Sequence, residues 1–314
     1  MIEFDQVKHL LQENYSLRAL TTFLIGGQAK WFARTADLEE VLTLMNWAKQ
    51  QSLPVHILGK GSDILFADGV INALLIKYEN KELEKIDDQH YRVASALPLN
   101  YLLMRLAKDG WEDAFSLIGI PGTVGGAVWA NAGAYGQEFS NVVEKVKVIF
   151  LDEETLQIRE LSKEECFFQY RDSIFKHRPA LVFEVLVKCQ NKTADQNALM
   201  TKMVEILKSR HGKQPLNYPN AGSIFKNVEV TDDIQKLLGT NFPHNKIPAA
   251  WLIEQVGLKG FQIGGAKFSD KHANFIVNLG DAKAVDVLDL LALAKQKVFD
   301  KFSMKIEEEL IHIK

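Results

Sequence analysis

Apolar positions along this chain alternate between a helical spacing, three and four apart, and short strand-like runs that close on glycine or charge. Residues 1–17, MIEFDQVKHLLQENYSL, carry an amphipathic helical pattern interrupted by charge, and residues 22–27, TFLIGG, a strand-like run ending on a glycine pair. Asp37 is placed to cap a helix over 38–51, with Leu38, Val41, Leu42, Met45 and Ala48 on one face and Pro54 beyond its end. Residues 55–58, VHIL, form a short buried strand that runs into Gly59-Lys60-Gly61-Ser62-Asp63. From 71 to 93 short apolar runs separated by charged turns predict strands of a second lobe. A helix is predicted over 99–107, strands over 142–151 and 180–189, and a helix over 197–209. At about residue 210 the polar, irregular HGKQPLNY marks a domain boundary. Beyond it the pattern predicts helices over 232–238 and 249–256 and a strand over 274–278. A long helix follows over 283–302, striped by Val287, Leu290, Leu291, Ala294 and Val298, and then a closing strand over 305–313.

Composition narrows the class. With 314 residues, 47% hydrophobic and 25% charged, the chain has enough core for two or three globular domains. A formal net charge of -3 offers no electrostatic footprint for nucleic acid or an anionic membrane. The sequence has no apolar run of the roughly 18 residues that a membrane span needs, and no cleavable leader pattern at its start. Cys166 and Cys189 lack metal-type spacing, so both are expected as buried thiols in a reducing cytoplasm, and no metal site is expected.

The candidate chemistry lies in the glycines. Residues 119–136, GIPGTVGGAVWANAGAYG, hold six glycines in 18 positions. A stretch so poor in side chains is not expected to anchor itself by packing; it lets backbone approach something flat or charged. The 22–27 and 59–63 clusters repeat the theme, while neither GxGxxG nor GxxxxGK[ST] occurs. Three such loops, each after strand-like sequence, suit one extended anionic ligand with a planar part, and a flavin dinucleotide meets that description. Neither the 59–63 nor the 119–136 loop contains His or Cys for a covalent flavin link.

These segments also carry a resemblance. TFLIGGQA at 22–29, LGKGSDIL at 58–65, GIPGTVGGAVWANAGAYGQE at 119–138, YRDSIFK at 170–176, AGSIFKN at 221–227 and LKGFQIGGAKFSDKHANFIVN at 258–278 run in the order found in the UDP-N-acetylenolpyruvoylglucosamine reductase family. The chain resembles that family over nearly its whole length, in the shorter form that lacks a tyrosine loop, so Tyr218 is left without a role. The resemblance implies an α+β fold of the vanillyl-alcohol-oxidase type, with FAD-binding lobes at 1–78 and 79–209, a substrate domain at 210–303 and a C-terminal strand at 304–314. It implies non-covalent FAD held by Gly26, Gly27, Gly59, Lys60, Gly61, Ser62, Asp63, Pro121, Gly122, Thr123, Gly125, Gly126, Asn131, Gly133, Ala134, Tyr135 and Gly136. NADPH is implied as the hydride-donating co-substrate, a UDP-sugar as the substrate, and a cytoplasmic monomer as the working form.

The implied reaction reduces the enolpyruvyl vinyl ether of UDP-N-acetylglucosamine enolpyruvate to give UDP-N-acetylmuramate. By resemblance, Arg171 stabilises charge on the substrate carboxylate, Ser223 delivers the proton and Glu309 is the third catalytic group. Tyr170, Lys213, Lys226, Asn227 and Lys259 join Arg171 and Ser223 as substrate contacts. Taken locally, Arg171 is also a solvated cation lying on a ring, Ser223 a turn serine, each lysine a surface residue, and Glu307-Glu308-Glu309 a solvated edge. Strand alternation groups Glu309 with Ile311 and Ile313, but Glu307 shares that parity. Asp63 stands where the family commonly has Asn, and a carboxylate beside a pyrophosphate weakens FAD retention unless Lys60 offsets it. Another FAD-dependent hydroxy-acid or alcohol oxidoreductase of the same fold would share the glycine loops without that catalytic set, and a flavin or nucleotide-sugar binding protein would bind without turnover.

Overall fold

The structure is a computed structural model that describes residues 2–229, 242 and 245–314. The helix predicted over 232–238 lies outside the described residues. The chain divides into two compact units: Met1–Tyr15, Ala29–Lys60 and Asn72–Arg210 form the first, and Ser16–Gln28, Gly61–Ile71 and His211–Lys314 the second.

The first unit is built on two sheets. One has the strand order Leu11–Ser16, Gln28–Thr35, Val70–Tyr78, Val55–Leu58, with the last pair parallel. Helix Leu38–Gln50 covers it, started by Asp37, whose carboxylate accepts the Glu39 and Glu40 N–H groups at 2.7 and 3.4 Å. Its buried face is Val41, Leu44, Met45, Trp47 and Ala48, packed on Leu74, Ile76 and Tyr78; of the predicted stripe, Leu38 and Leu42 are only half-buried. The other sheet is antiparallel in the order Ile158–Ser162, Val143–Phe150, Ala180–Lys188, His90–Ala94, Leu83–Lys85. Its inward residues Val146 and Val185 share a core with Leu102, Leu103 and Leu106 of helix Leu99–Lys108. The thiols of Cys166 and Cys189 are buried there, and burial pushes both up to about 12.

The second unit centres on helix Ala284–Phe302, whose stripe Val287, Leu290, Leu291, Ala294 and Val298 is almost wholly excluded from solvent. Burying each large member of such a stripe stabilises the fold by roughly 1.5–3 kcal/mol. The Asp68 carboxylate accepts the Ala284 and Val285 N–H groups at 2.8 and 3.2 Å, which satisfies two donors that the helix cannot use itself. Gln262–Ile263, Ala266–Phe268 and Ile276–Asn278 make a three-stranded antiparallel sheet, and Ile311–Ile313 pairs in parallel with Ile64–Phe66.

Four expectations change. The helical pattern of 1–17 yields only Phe4–Val7; Leu11–Ser16 becomes an edge strand, where pairing with Gln28–Thr35 and the stack of Tyr15 on Phe32 at 4.0 Å outweigh local propensity. TFLIGG is a loop. Phe23 and Ile25 are buried, but the Phe23 and Leu24 carbonyls are taken by Asn278 Nδ2 at 3.0 and 3.2 Å and the Leu24 carbonyl also by Arg18 Nε at 3.0 Å, with Leu24 held at φ 53°. The helix predicted to stop at 209 continues as Gln196–Lys213, because nothing in exposed His211, Gly212 and Lys213 breaks it before Pro215. The closing strand is confined to Ile311–Ile313.

Among the described residues no helix is long and apolar enough to cross a membrane, and no three His, Cys, Asp or Glu side chains are grouped to hold a metal ion.

Replacing Asp37 by Ala removes the acceptor for two helix N–H groups and is expected to lower the unfolding free energy by about 1 kcal/mol in urea denaturation. Asp37→Asn, which keeps an acceptor oxygen, should recover most of that loss.

Candidate active site

In the first unit, residues 119–136 do anchor themselves by packing, contrary to the expectation from their composition. They contain the seven-residue helix Val124–Ala130, whose Val124, Ala127 and Val128 are buried, and whose first turn is capped by Thr123 Oγ1 accepting the Gly126 N–H at 3.2 Å. Several glycines serve close approach between protein atoms. A Cβ on Gly59 would lie 2.9 Å from Thr123 Oγ1, and one on Gly125 2.8 Å from Ser95 Cβ. In the second unit a Cβ on Gly26 would fall 2.9 Å from Phe66 Cβ, on Gly27 2.0 Å from the Gly69 oxygen and on Gly61 2.2 Å from the Leu20 oxygen, so backbone there rests on its neighbours. Gly126 and Gly136 differ: the first has only Thr123 Oγ1, at 3.6 Å, near a would-be Cβ, and the second has nothing within 4 Å. Both are exposed, as are Pro121 and Tyr135, which leaves bare backbone facing open space.

Arg171 sits in a tight turn in which Gln169 and Asp172 exchange N–H···O bonds of 3.0 and 3.1 Å, with its own φ at 56°. Its guanidinium lies 5.2 Å from the centre of the Tyr170 ring, as local sequence suggested, while Nη2 donates to the Gly133 carbonyl at 2.8 Å. Burial pushes the Asp172 carboxyl up, but the His177 ring at 2.9 Å and the Ser173 N–H at 2.9 Å more than offset this and hold it below the usual value. A second cation escaped the sequence analysis. Arg210, half-buried, has its guanidinium 5.7 Å from the Tyr135 ring and its Nε buried with no hydrogen-bond partner among the described residues. Burial, only partly offset by Tyr135 and reinforced by Arg171, pushes Arg210 down from the usual arginine value. With Arg171 at Gly133 and Arg210 at the Tyr135 ring, two guanidinium groups close enough to feel one another suit an anion. The local pattern KSRHGK gave no reason to single out Arg210, because only the fold removes it from water.

In the second unit Ser223 and Glu309 lie on adjacent segments. The Glu309 N–H donates to the Ile224 carbonyl at 2.8 Å, Phe225 and Glu308 form an antiparallel bridge, and the Lys226 N–H donates to the Glu307 carbonyl at 2.8 Å. On the other side buried Asn274 accepts the Phe225 N–H at 3.0 Å and donates to the Phe225 carbonyl at 2.9 Å, and its own carbonyl accepts the Ile224 N–H at 2.9 Å. Ser223 is half-buried and its hydroxyl makes no hydrogen bond to the described residues; Gly222 before it, at φ 80°, has open space where a Cβ would be. Glu309 precedes the strand, so alternation does not distinguish it from Glu307, but environment does. Glu307 is exposed and 3.3 Å from Lys226, whereas Glu309 is half-buried. Between them Glu308 meets Lys295 at 2.6 Å and lies 2.9 Å from His312 Nε2, a contact without hydrogen-bond alignment. Burial pushes Glu308 up, and His312 and Lys295 beside it more than offset this.

The remaining candidates divide. Lys226 and Lys259 each face a carboxylate, Glu307 at 3.3 Å and Glu254 at 2.8 Å, while Lys213 and Lys60 are exposed. Asn227 Oδ1 accepts the Ala249 N–H at 3.1 Å, so it also starts helix Ala249–Gln255. The backbone oxygen of Asp63 accepts the Ile311 N–H at 3.0 Å, which ties the 59–63 segment to the last strand.

Residues 29–159 match the FAD binding domain, and residues 214–313 match the C-terminal domain of UDP-N-acetylenolpyruvoylglucosamine reductase. Proteins named UDP-N-acetylenolpyruvoylglucosamine reductase from Synechococcus sp. (strain JA-3-3Ab) and Thermotoga maritima are each 36% identical to the chain, over 95% and 92% of it and 90% and 94% of their own length. The crystal structure of the reductase from Thermus caldophilus superposes with a TM-score of 0.74 at 28% identity, covering 97% of this chain and 99% of that one. The fold is the α+β vanillyl-alcohol-oxidase type with the reductase C-terminal domain appended. The open backbone at Gly126 and Gly136 fits FAD, since a planar ring system needs a surface free of side chains. The chain belongs to the UDP-N-acetylenolpyruvoylglucosamine reductase family, FAD-dependent oxidoreductases of peptidoglycan precursor synthesis.

Proposed function

We propose that this chain uses NADPH to reduce UDP-N-acetylglucosamine enolpyruvate to UDP-N-acetylmuramate, with Arg171, Ser223 and Glu309 as its catalytic residues. The observation that carries the assignment is the pairing that sets Ser223, whose hydroxyl makes no hydrogen bond to the described residues, beside the segment of Glu309. FAD, held by the glycine loops, would supply the redox chemistry that carries a hydride equivalent from NADPH to the vinyl CH2 carbon of the substrate. The neighbouring substrate carbon and its carboxylate then carry negative charge. Arg171 holds that carboxylate; a preorganised donor of this kind contributes roughly 2.7–4 kcal/mol to the transition state. Ser223 Oγ gives its proton to the carbanionic carbon, a transfer that a weak acid accomplishes because the acceptor is strongly basic. Glu309, half-buried on the paired segment, polarises the reacting group.

In this scheme residues 1–78 and 79–209 supply the FAD-binding lobes, 210–303 the substrate domain and 304–314 the catalytic glutamate. Tyr170, Lys213, Lys226, Asn227 and Lys259 complete the substrate contacts. Nucleotide-linked sugar and NADPH are both cytoplasmic, which places the enzyme there, and it acts as a monomer.

The purified protein should show a flavin absorption band that bleaches on anaerobic addition of NADPH and returns on addition of the enolpyruvyl substrate. A band that bleaches but does not return would refute the substrate assignment while leaving the cofactor intact. Ser223→Ala should leave reduction by NADPH at the wild-type rate and slow reoxidation by the substrate roughly 100- to 10,000-fold in stopped flow; equal loss of both half-reactions would make Ser223 structural. Glu309→Gln should also retain FAD and slow only the second half-reaction. An unchanged rate there moves the role to Glu307 or to another residue.

A further inference from the structure

The turn that carries Arg171 does not hold itself. Two reciprocal backbone bonds close it, but its interior places a non-glycine residue at φ 56°, a conformation that persists only when the surroundings impose it. Those surroundings are the three residues after helix Val124–Ala130 and its last turn. Ser173 Oγ donates to the Trp129 carbonyl at 2.7 Å, the Asn131 side chain reaches the Gln169 carbonyl at 2.8 Å, and the Gly133 carbonyl accepts Arg171 Nη2 at 2.8 Å. The turn is therefore fixed at its start, at its exit and at the tip of its functional side chain.

Asn131 is the centre of this arrangement. It caps the helix C-terminus in the left-handed region, at φ 42° and ψ 60°, where asparagine is the residue best tolerated after glycine. It is fully buried, and both of its amide protons are used: Nδ2 donates to Glu138 Oε2 at 2.8 Å and to the Gln169 carbonyl at 2.8 Å, while Oδ1 accepts the Ser140 N–H at 3.1 Å. Two acceptors and one donor around it fix which end of the amide points where. Neither Asp nor a hydroxyl residue could reproduce the set, because both bonds to Glu138 and Gln169 need N–H donors.

We propose that Asn131 is a positioning residue that holds the Gln169–Asp172 turn so that the Arg171 guanidinium meets the substrate carboxylate, and that it is not a contact to the cofactor. This rests on the role proposed for Arg171. Gly133 shares the task, since a Cβ there would lie 2.8 Å from Arg171 Nη1 and displace the guanidinium directly.

Two variants test it on the FAD-loaded enzyme. Asn131→Gly keeps the left-handed cap and deletes the side-chain bonds. Asn131→Asp combined with Glu138→Gln swaps donor and acceptor between these two side chains without changing their net charge, and sets a carboxylate oxygen, which cannot donate, against the Gln169 carbonyl. Both are expected to retain one FAD per chain by absorbance and to be reduced by NADPH at the wild-type rate. Reoxidation by UDP-N-acetylglucosamine enolpyruvate should slow by about 100-fold, the loss that a displacement of about 1 Å in a catalytic group produces. Calorimetric affinity of the oxidised enzyme for that substrate should weaken as it does in Arg171→Ala, and Asn131→Gly added to Arg171→Ala should cost nothing further. Loss of FAD would overturn the proposal by making Asn131 a cofactor contact, and equal loss of both half-reactions would make it merely structural. A wild-type reoxidation rate in both variants, with Arg171→Ala slow, would overturn the proposal and spare the role of Arg171. A wild-type rate in Arg171→Ala itself would overturn both.

Discussion

The arrangement of the second unit depends on the pairing of residues 224–226 with 307–309. Three contacts, the Glu309 N–H to the Ile224 carbonyl, the Phe225–Glu308 bridge and the Lys226 N–H to the Glu307 carbonyl, bring segments more than 80 residues apart in sequence into register. Asn274 locks the opposite edge with three hydrogen bonds, each contributing about 1 kcal/mol net when buried and costing more if left half-made. Ser223 directly precedes this short ladder, and its hydroxyl makes no hydrogen bond to the described residues. Glu308 adds an ionic anchor through Lys295, which ties the segment bearing Glu309 to the long helix.

In the first unit the governing constraint is the end of a short helix. Val124, Ala127 and Val128 fix that helix in the core, and Trp129, Asn131 and Gly133 then present two carbonyls and an amide to the turn of Arg171. Arg210, near the end of helix Gln196–Lys213, reaches the Tyr135 ring with Nε out of water and without a hydrogen-bond partner among the described residues. A guanidinium nitrogen so placed has given up hydration without a replacement bond among the described residues, and an anion would restore one.

Glycine does two different jobs here. At Gly27 and Gly61 backbone approaches backbone so closely that any side chain would collide. At Gly126 and Gly136 the space beyond the backbone is open. Composition cannot tell these cases apart, because both are simply missing a side chain.

Periodicity alone determined helix Leu38–Gln50 with its Asp37 cap, helix Leu99–Lys108, strands Val143–Phe150 and Ala180–Lys188, and the buried stripe of helix Ala284–Phe302. In each, local propensity and burial ask for the same conformation. The motifs around Arg171 and Ser223 were likewise legible as a family resemblance, whereas Glu309 was separated from Glu307 only by the register of that resemblance. Only the tertiary structure decided that Leu11–Ser16 is a strand, that TFLIGG is a loop held by Arg18 and Asn278, and that Glu309 precedes the last strand. Asn131, Arg210 and Asn274 also became visible only in the fold. What sets each of them apart is a partner, or an absent partner, contributed by chain distant in sequence, and no local pattern of hydrophobic and polar residues records that.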